Sequence, residues 1–257
     1  MFTLSVIYIG INMRDPILGK NKKLRQALNC AFDFKAWSKF FNNRILESTG
    51  PIPQGVAGRV ETPFNYSYNL KKAKTLLAEA GYPNGIDPVT NRRLVLQLGI
   101  GRANQDAREQ AELLQSFFEK IGIRLEPVYM TWEAFLKATS EGRLPLFNLG
   151  WVGDYPDAEN FMQLFYSKNL APGPNRCGYS NPEFDKIYDT AMAEISESKR
   201  NEYWKEAQEI IREDCPWVFL HVQKTCSLTR KELEGYKPGD FQYGSEKYFR
   251  VKKKGEK

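Results

Sequence analysis

Strand-like and helix-like stretches alternate along the 257 residues, which predicts an α/β fold with α+β character: a mixed sheet flanked by helices. Three observations carry that expectation. Five short apolar runs bounded by turn residues read as strands. Apolar residues at spacings of three and four between them read as helices with one buried face. An apolar content of 42% is enough to bury a sizeable core in one large domain or two small ones.

The first strand is "LSVIYIGIN" (4–12), and "RLVLQLGI" (93–100), "IRLEPVYM" (123–130), "PLFNLGW" (145–151) and "WVFLHVQ" (217–223) follow. Asn69 caps a helix carrying Ala73, Leu76, Leu77 and Ala80, closed by Gly81 and Pro83. From Asn104 onward, Ala107, Ala111, Leu114, Phe118 and Ile121 form one stripe. Asn181 as cap and Pro182 at the first helical position open a helix whose Phe184, Ile187, Tyr188, Ala191 and Ile195 share a face. A last helix runs from Ser198 and stops before Pro216. The Pro/Gly-rich pieces "STGPIPQGVAGRVETP" and "NLAPGPNRCGYSNP" are long loops, and loops beyond roughly 12 residues are candidates to border a site.

Several function classes drop out. No apolar run approaches the roughly 18–20 residues of a membrane span. The opening "MFTLSVIYIGIN" lacks a basic leader region and a cleavage site, which leaves a cytosolic protein or a piece of a longer exported chain. The net charge of +6 is scattered apart from "KNKK" and "VKKKGEK", so no nucleic-acid partner is expected. Cys30, Cys177, Cys215 and Cys226 lie far apart, which permits two disulfides or four buried thiols, and with a single histidine, His221, no zinc site is expected. "LGIGRANQD" has Asn104 where a dinucleotide fingerprint needs its third glycine. No G-x-S-x-G elbow supplies a nucleophile for His221.

The stretch "GWVGDYPDAENF" (150–161) joins a strand to a helix-like segment and crowds aromatics around the Asp154 carboxylate. Asp157 reads as a cap for the segment that follows. Ligands of open α/β sheets gather beyond the carboxyl ends of strands. Asp154 there can accept hydrogen bonds from an ammonium group, worth roughly 1.5–3 kcal/mol. Trp151 and Tyr155 beside the cation can add roughly 0.5–2 kcal/mol. The competing reading is an Asp turn with its aromatics in the core.

"GWVGDYPDAENF" resembles the signature of the family 5 extracellular solute-binding proteins, the oligopeptide- and dipeptide-binding subunits of ABC importers. The likeness extends in order through "YIGINMRDPILGKNKKLRQALNCAFDFKAW" (with Arg25, Gln26, Ala27 and Asp33), "GPIPQG", "YNLKKAKTLLAEAGYPNG", "IGIRLEP" and "YSNPEFDKIYD". It implies a lobe like those of class II periplasmic binding proteins, which close on a ligand like a hinged clamp. It also implies that residues 1–223 are the second lobe and that 224–257 return toward a first lobe outside this chain. In such relatives the aspartate three residues after the Trp holds a peptide's α-ammonium group, the place of Asp154, and main-chain groups at Gly150 and Val152 pair with the peptide backbone. Trp151 and Tyr155 then wall the site. The implied partners are a peptide or other small solute and the permease subunits of an importer. The implied protein is extracytoplasmic, monomeric, without cofactor and without catalytic activity. A hydrolase using acidic residues near Asp154, and a sensory or chaperone domain on the same fold, are the alternatives.

Overall fold

In the computed structural model, which describes residues 3–226, 228–230, 232–234 and 250–251, the strand β1 (Ser5–Ile11) runs inside a six-stranded mixed sheet. The sheet order is β2 (Ile45–Glu47), β8 (Trp217–Gln223), β1, β7 (Leu146–Val152), β5 (Val95–Ile100), β6 (Arg124–Tyr129). β1 is antiparallel to both β7 and β8, whereas β5 runs parallel to β6 and β7. β1 is covered on both faces, which is why it reads as an unbroken apolar run.

One face carries Ile9, Ile11, Leu98, Leu146, Val218 and Leu220 against α1 (Lys22–Ala31), α3 (Leu70–Glu79) and α4 (Gln105–Glu119). The other carries Val6, Tyr8, Phe147, Trp217 and Phe219 against α6 (Glu159–Met162), α7 (Pro182–Ala193) and α8 (Glu197–Asp214). The remaining elements are α2 (Phe34–Phe40), α5 (Trp132–Ser140), the hairpin β3 (Ile86–Asp87) and β4 (Arg92–Arg93), and the pair β9 (Leu233–Glu234) and β10 (Arg250–Val251).

The helix starts follow from their caps. Asn69, Asn104 and Asn181 accept hydrogen bonds from the first-turn N–H groups of Lys72, Ala107 and Phe184, the donors that helix geometry otherwise leaves without partners. The stripe Ala107, Ala111, Leu114, Phe118 and Ile121 is buried throughout. α7 corrects one expectation: it ends at Ala193, Glu194 is extended, and Ile195 is 98% exposed instead of sharing the buried face. α8 begins at Glu197, one residue early, and closes on Cys215 at φ 49° ahead of Pro216.

The polar residues of "LRQALNC" tie α1 to the C-terminal half of the chain. Buried Arg25 donates to the carbonyls of Leu18, Gly19 and Asp214; Gln26 donates to Glu213 O, and Asn29 to Trp217 O. Asp33 caps α2 through Ala36 N. All four cysteines are unpaired in the structure; Cys30, Cys177 and Cys215 are buried as the thiol reading has them, whereas Cys226 is exposed. Most of the segment 224–257, read above as returning toward another lobe, lies outside the described residues.

Candidate functional site

β5 ends at Ile100, opposite Asn148 of β7, and the chain then turns through Gly101 into α4. β7 continues to Val152 with β1 still beside it. Leu149–Val152 therefore has a described strand on one side only. Gly153 N–H donates to Leu4 O at 2.6 Å, which sets the alternation of the β1–β7 pair. By that alternation Leu149 and Trp151 turn their backbone groups toward β1. Gly150 and Val152 turn theirs into the lane that β5 has vacated. The lane lies at the carboxyl ends of two parallel strands, the place where open α/β sheets take ligands.

The turn at the end of β7 is held by one side chain. Asn160, 1% exposed, accepts from Trp151 Nε1 (2.9 Å) and from Asp154 N (3.2 Å), and its Nδ2 donates to Asp154 Oδ2 at 3.4 Å. Gly153 is required by close packing: a Cβ there would lie 2.9 Å from Phe161 Cζ. Asp154 itself is exposed, as are Val152 and Tyr155, while Trp151 is half-buried against the second core cluster. The structure thus places Trp151 as the competing core reading has it, on the second cluster and not in the lining of the cavity described below.

The neighbouring acids have structural work. Asp157 is not the cap expected of it, since Ala158 holds that position at the start of α6 without a side-chain cap; its Oδ1 instead accepts from Glu159 N at 2.8 Å, and both its oxygens are held by Arg200 at 2.8 Å. Glu159 accepts from the hydroxyls of Tyr155 and Tyr188, and the Tyr155 contact pushes that hydroxyl's pKa up. A hydrolytic pair beside Asp154 would have to break these contacts. Among the described residues no group of three His, Cys, Asp or Glu is placed to hold a metal.

Beside the free edge opens a cavity of about 270 Å³ whose lining includes Ile7, Gly101, Arg102, Trp132, Gly150 and His221. Trp132 is 53% exposed, sits at the first position of α5 and stacks on Phe135. Gly101 makes room for both rings, since a Cβ would come within 2.8 and 2.9 Å of them. Arg102 Nη2 donates to Gln110 at 3.0 Å. Gly101, Arg102 and Trp132 are not among the site residues expected from the sequence, where "LGIGRANQD" reads as a simple turn and not a nucleotide loop; glycines at the carboxyl end of a strand are the available signal. The two Pro/Gly-rich loops do not line this cavity. Residues 48–63 pack on α8 through Gln208 and Arg212.

His221 forms the floor and is structural. Trp37 Nε1 donates to its Nδ1 at 3.1 Å, and burial, reinforced by Arg102, lowers its pKa from 6.5 to about 4. The folded state therefore favours the neutral ring. Its contribution is complete above pH 6.5 and is lost as pH falls through 6.5 toward 4, by roughly 3 kcal/mol. Denaturant titrations at pH 7 and pH 4 should show a smaller acid loss for His221→Gln than for the unsubstituted protein. Equal losses would contradict this role.

A family model described as bacterial extracellular solute-binding proteins, family 5 Middle, matches residues 3–172. Heme-binding protein A of Haemophilus influenzae is 30% identical over 241 residues, 93% of this chain and 43% of that protein. The dipeptide-binding protein of Escherichia coli is 28% identical over 235 residues, 91% of this chain and 43% of that protein. Among solved structures, HbpA2 from Haemophilus parasuis superposes with a TM-score of 0.84 at 28% identity, covering 98% of this chain and 49% of that one. The oligopeptide-binding protein AppA from Bacillus subtilis, in complex with a nonapeptide, gives 0.81 at 26% identity, covering 98% and 52%. The chain spans about half the length of the relatives it matches. With its mixed sheet, its order of motifs and this match, the chain belongs to the family 5 bacterial extracellular solute-binding proteins.

Proposed function

We propose that this chain is the ligand-binding lobe, within residues 1–223, of an extracytoplasmic solute-binding protein that captures peptides by their free amino terminus and delivers them to the permease of an ABC importer. Residues 224–257 are the segment that returns to the other lobe. The protein acts as a monomer, binds without a cofactor and has no catalytic activity. The observation that carries the reading is the free edge of β7 at Gly150 and Val152, ending beside the exposed Asp154 carboxylate. A peptide added to that edge pairs through its main chain, which suits a carrier of varied sequences. Running antiparallel to β7, it brings its α-ammonium group to Asp154. Relatives named for dipeptides and the nonapeptide complex support the ligand class.

Calorimetry of the full-length protein with tetra-alanine and its N-acetylated form tests this. The free-amino peptide should bind at least about tenfold tighter, the scale of one charge-assisted contact. Equal affinities would overturn the proposal.

A further inference from the structure

The cavity beside the free edge has a place in the register of a bound peptide. A ligand strand antiparallel to β7, with its first residue opposite Val152, sets its second opposite Trp151 and its third opposite Gly150. Residues directly opposite in an antiparallel pair put their side chains on the same face. The face at Gly150 is that of Ile7, because a Cβ on Gly150 would lie 2.5 Å from Ile7 Cδ1, and both residues line the cavity. The third side chain of the ligand therefore enters it.

The far side of the lane is closed by Trp132. Met130 N–H bonds Ile100 O, and the chain continues through Thr131 to the indole, which is held by stacking on Phe135. Arg102 is the one charged side chain in the lining, and no carboxylate accompanies it. Its single hydrogen bond among the described contacts, to Gln110, uses one of five donors. His221, neutral in the folded state, adds no charge at neutral pH.

We infer that the cavity bounded by Gly150, Trp132 and Arg102 is the pocket for the third side chain of the bound peptide, and that it selects an acidic side chain over a basic one. This rests on the amino-terminal anchoring proposed above. An acidic third residue gains a charge-assisted contact with the guanidinium group, while a basic one meets a like charge with no carboxylate in the lining. A dipeptide leaves the pocket empty.

The test is calorimetry of the full-length protein with the carboxamides of Ala-Ala-Glu-Ala, Ala-Ala-Lys-Ala and Ala-Ala-Ala-Ala, and with Ala-Glu-Ala-Ala and Ala-Lys-Ala-Ala as position controls. The glutamate peptide should bind at least about tenfold tighter than the lysine peptide when the variable residue is third, and without that preference when it is second. Arg102→Gln should bring the third-position ratio to within about twofold while the all-alanine peptide still binds. A flat third position, or a preference that survives Arg102→Gln, overturns the pocket assignment. If tetra-alanine still binds tighter than its N-acetylated form while the third position is flat, the anchoring at Asp154 stands without the pocket. If N-acetylation changes nothing, both fall.

Discussion

Asp154→Asn in the full-length protein should weaken a free-amino peptide by about 10- to 100-fold and leave its N-acetylated form within about twofold. The substitution keeps size and shape, removes the charge and replaces one accepting oxygen by a donating NH2 group. A carboxylate–ammonium contact is worth roughly 1.5–3 kcal/mol net, and that share is what the free peptide loses. The acetylated peptide never had it. Folding should be nearly untouched, within about 0.5 kcal/mol, because Asp154 is exposed and, among the described residues, its side chain makes only the 3.4 Å contact from Asn160. Titration of both peptides against both proteins closes a cycle. Equal losses for the two peptides would show that Asp154 acts on the turn instead of on the ligand.

Asn160→Ala should cost both stability and recognition. It removes the shared acceptor of the Trp151 indole N–H and the Asp154 amide, and the donor that steers the Asp154 carboxylate. Leaving a buried polar group without its partner costs about 1–3 kcal/mol, which lowers the melting temperature by about 2–4 °C per kcal/mol in a chain of this size. A merely structural residue would do no more than that. Asn160 as the clamp of the binding turn should also shrink the ratio between free-amino and acetylated affinities by about three- to tenfold at a temperature where the variant is folded. A ratio equal to that of the unsubstituted protein would reduce Asn160 to a packing role.

The sequence made some of this legible for identifiable reasons. The five long strands showed as apolar runs because each carries buried residues, most of all the inner strands β1 and β8, and the asparagine caps of α3, α4 and α7 stood directly before the apolar stripes. Two- and three-residue strands such as β2, β3 and β4 are too short to show a period. The same holds for α5, nine residues long, whose Thr131 cap and buried Phe135 and Ala138 were the signal available. Ile195 fits the stripe of α7 by spacing, but the backbone leaves the helix two residues earlier.

At the site, the turn after Trp151 was visible as a motif, because its glycine and aspartate are local features. The free edge was not. It depends on β5 stopping opposite Asn148 while β1 follows β7 to its end, and both facts belong to strand order. Asn160 was in plain sight inside "AENFMQLFY", a polar residue buried in an apolar run. Arg102 and Trp132, thirty positions apart, meet at the cavity only because β5 and β6 are neighbours.

The central claim is that a peptide's backbone pairs with the vacated side of β7, and residue-resolved amide hydrogen exchange of the full-length protein reads it directly. Addition of a short free-amino peptide should protect the amides of Gly150 and Val152 and leave those of Leu149 and Trp151, already turned toward β1, as they were. Saturating peptide with no added protection at Gly150 and Val152 would contradict the account.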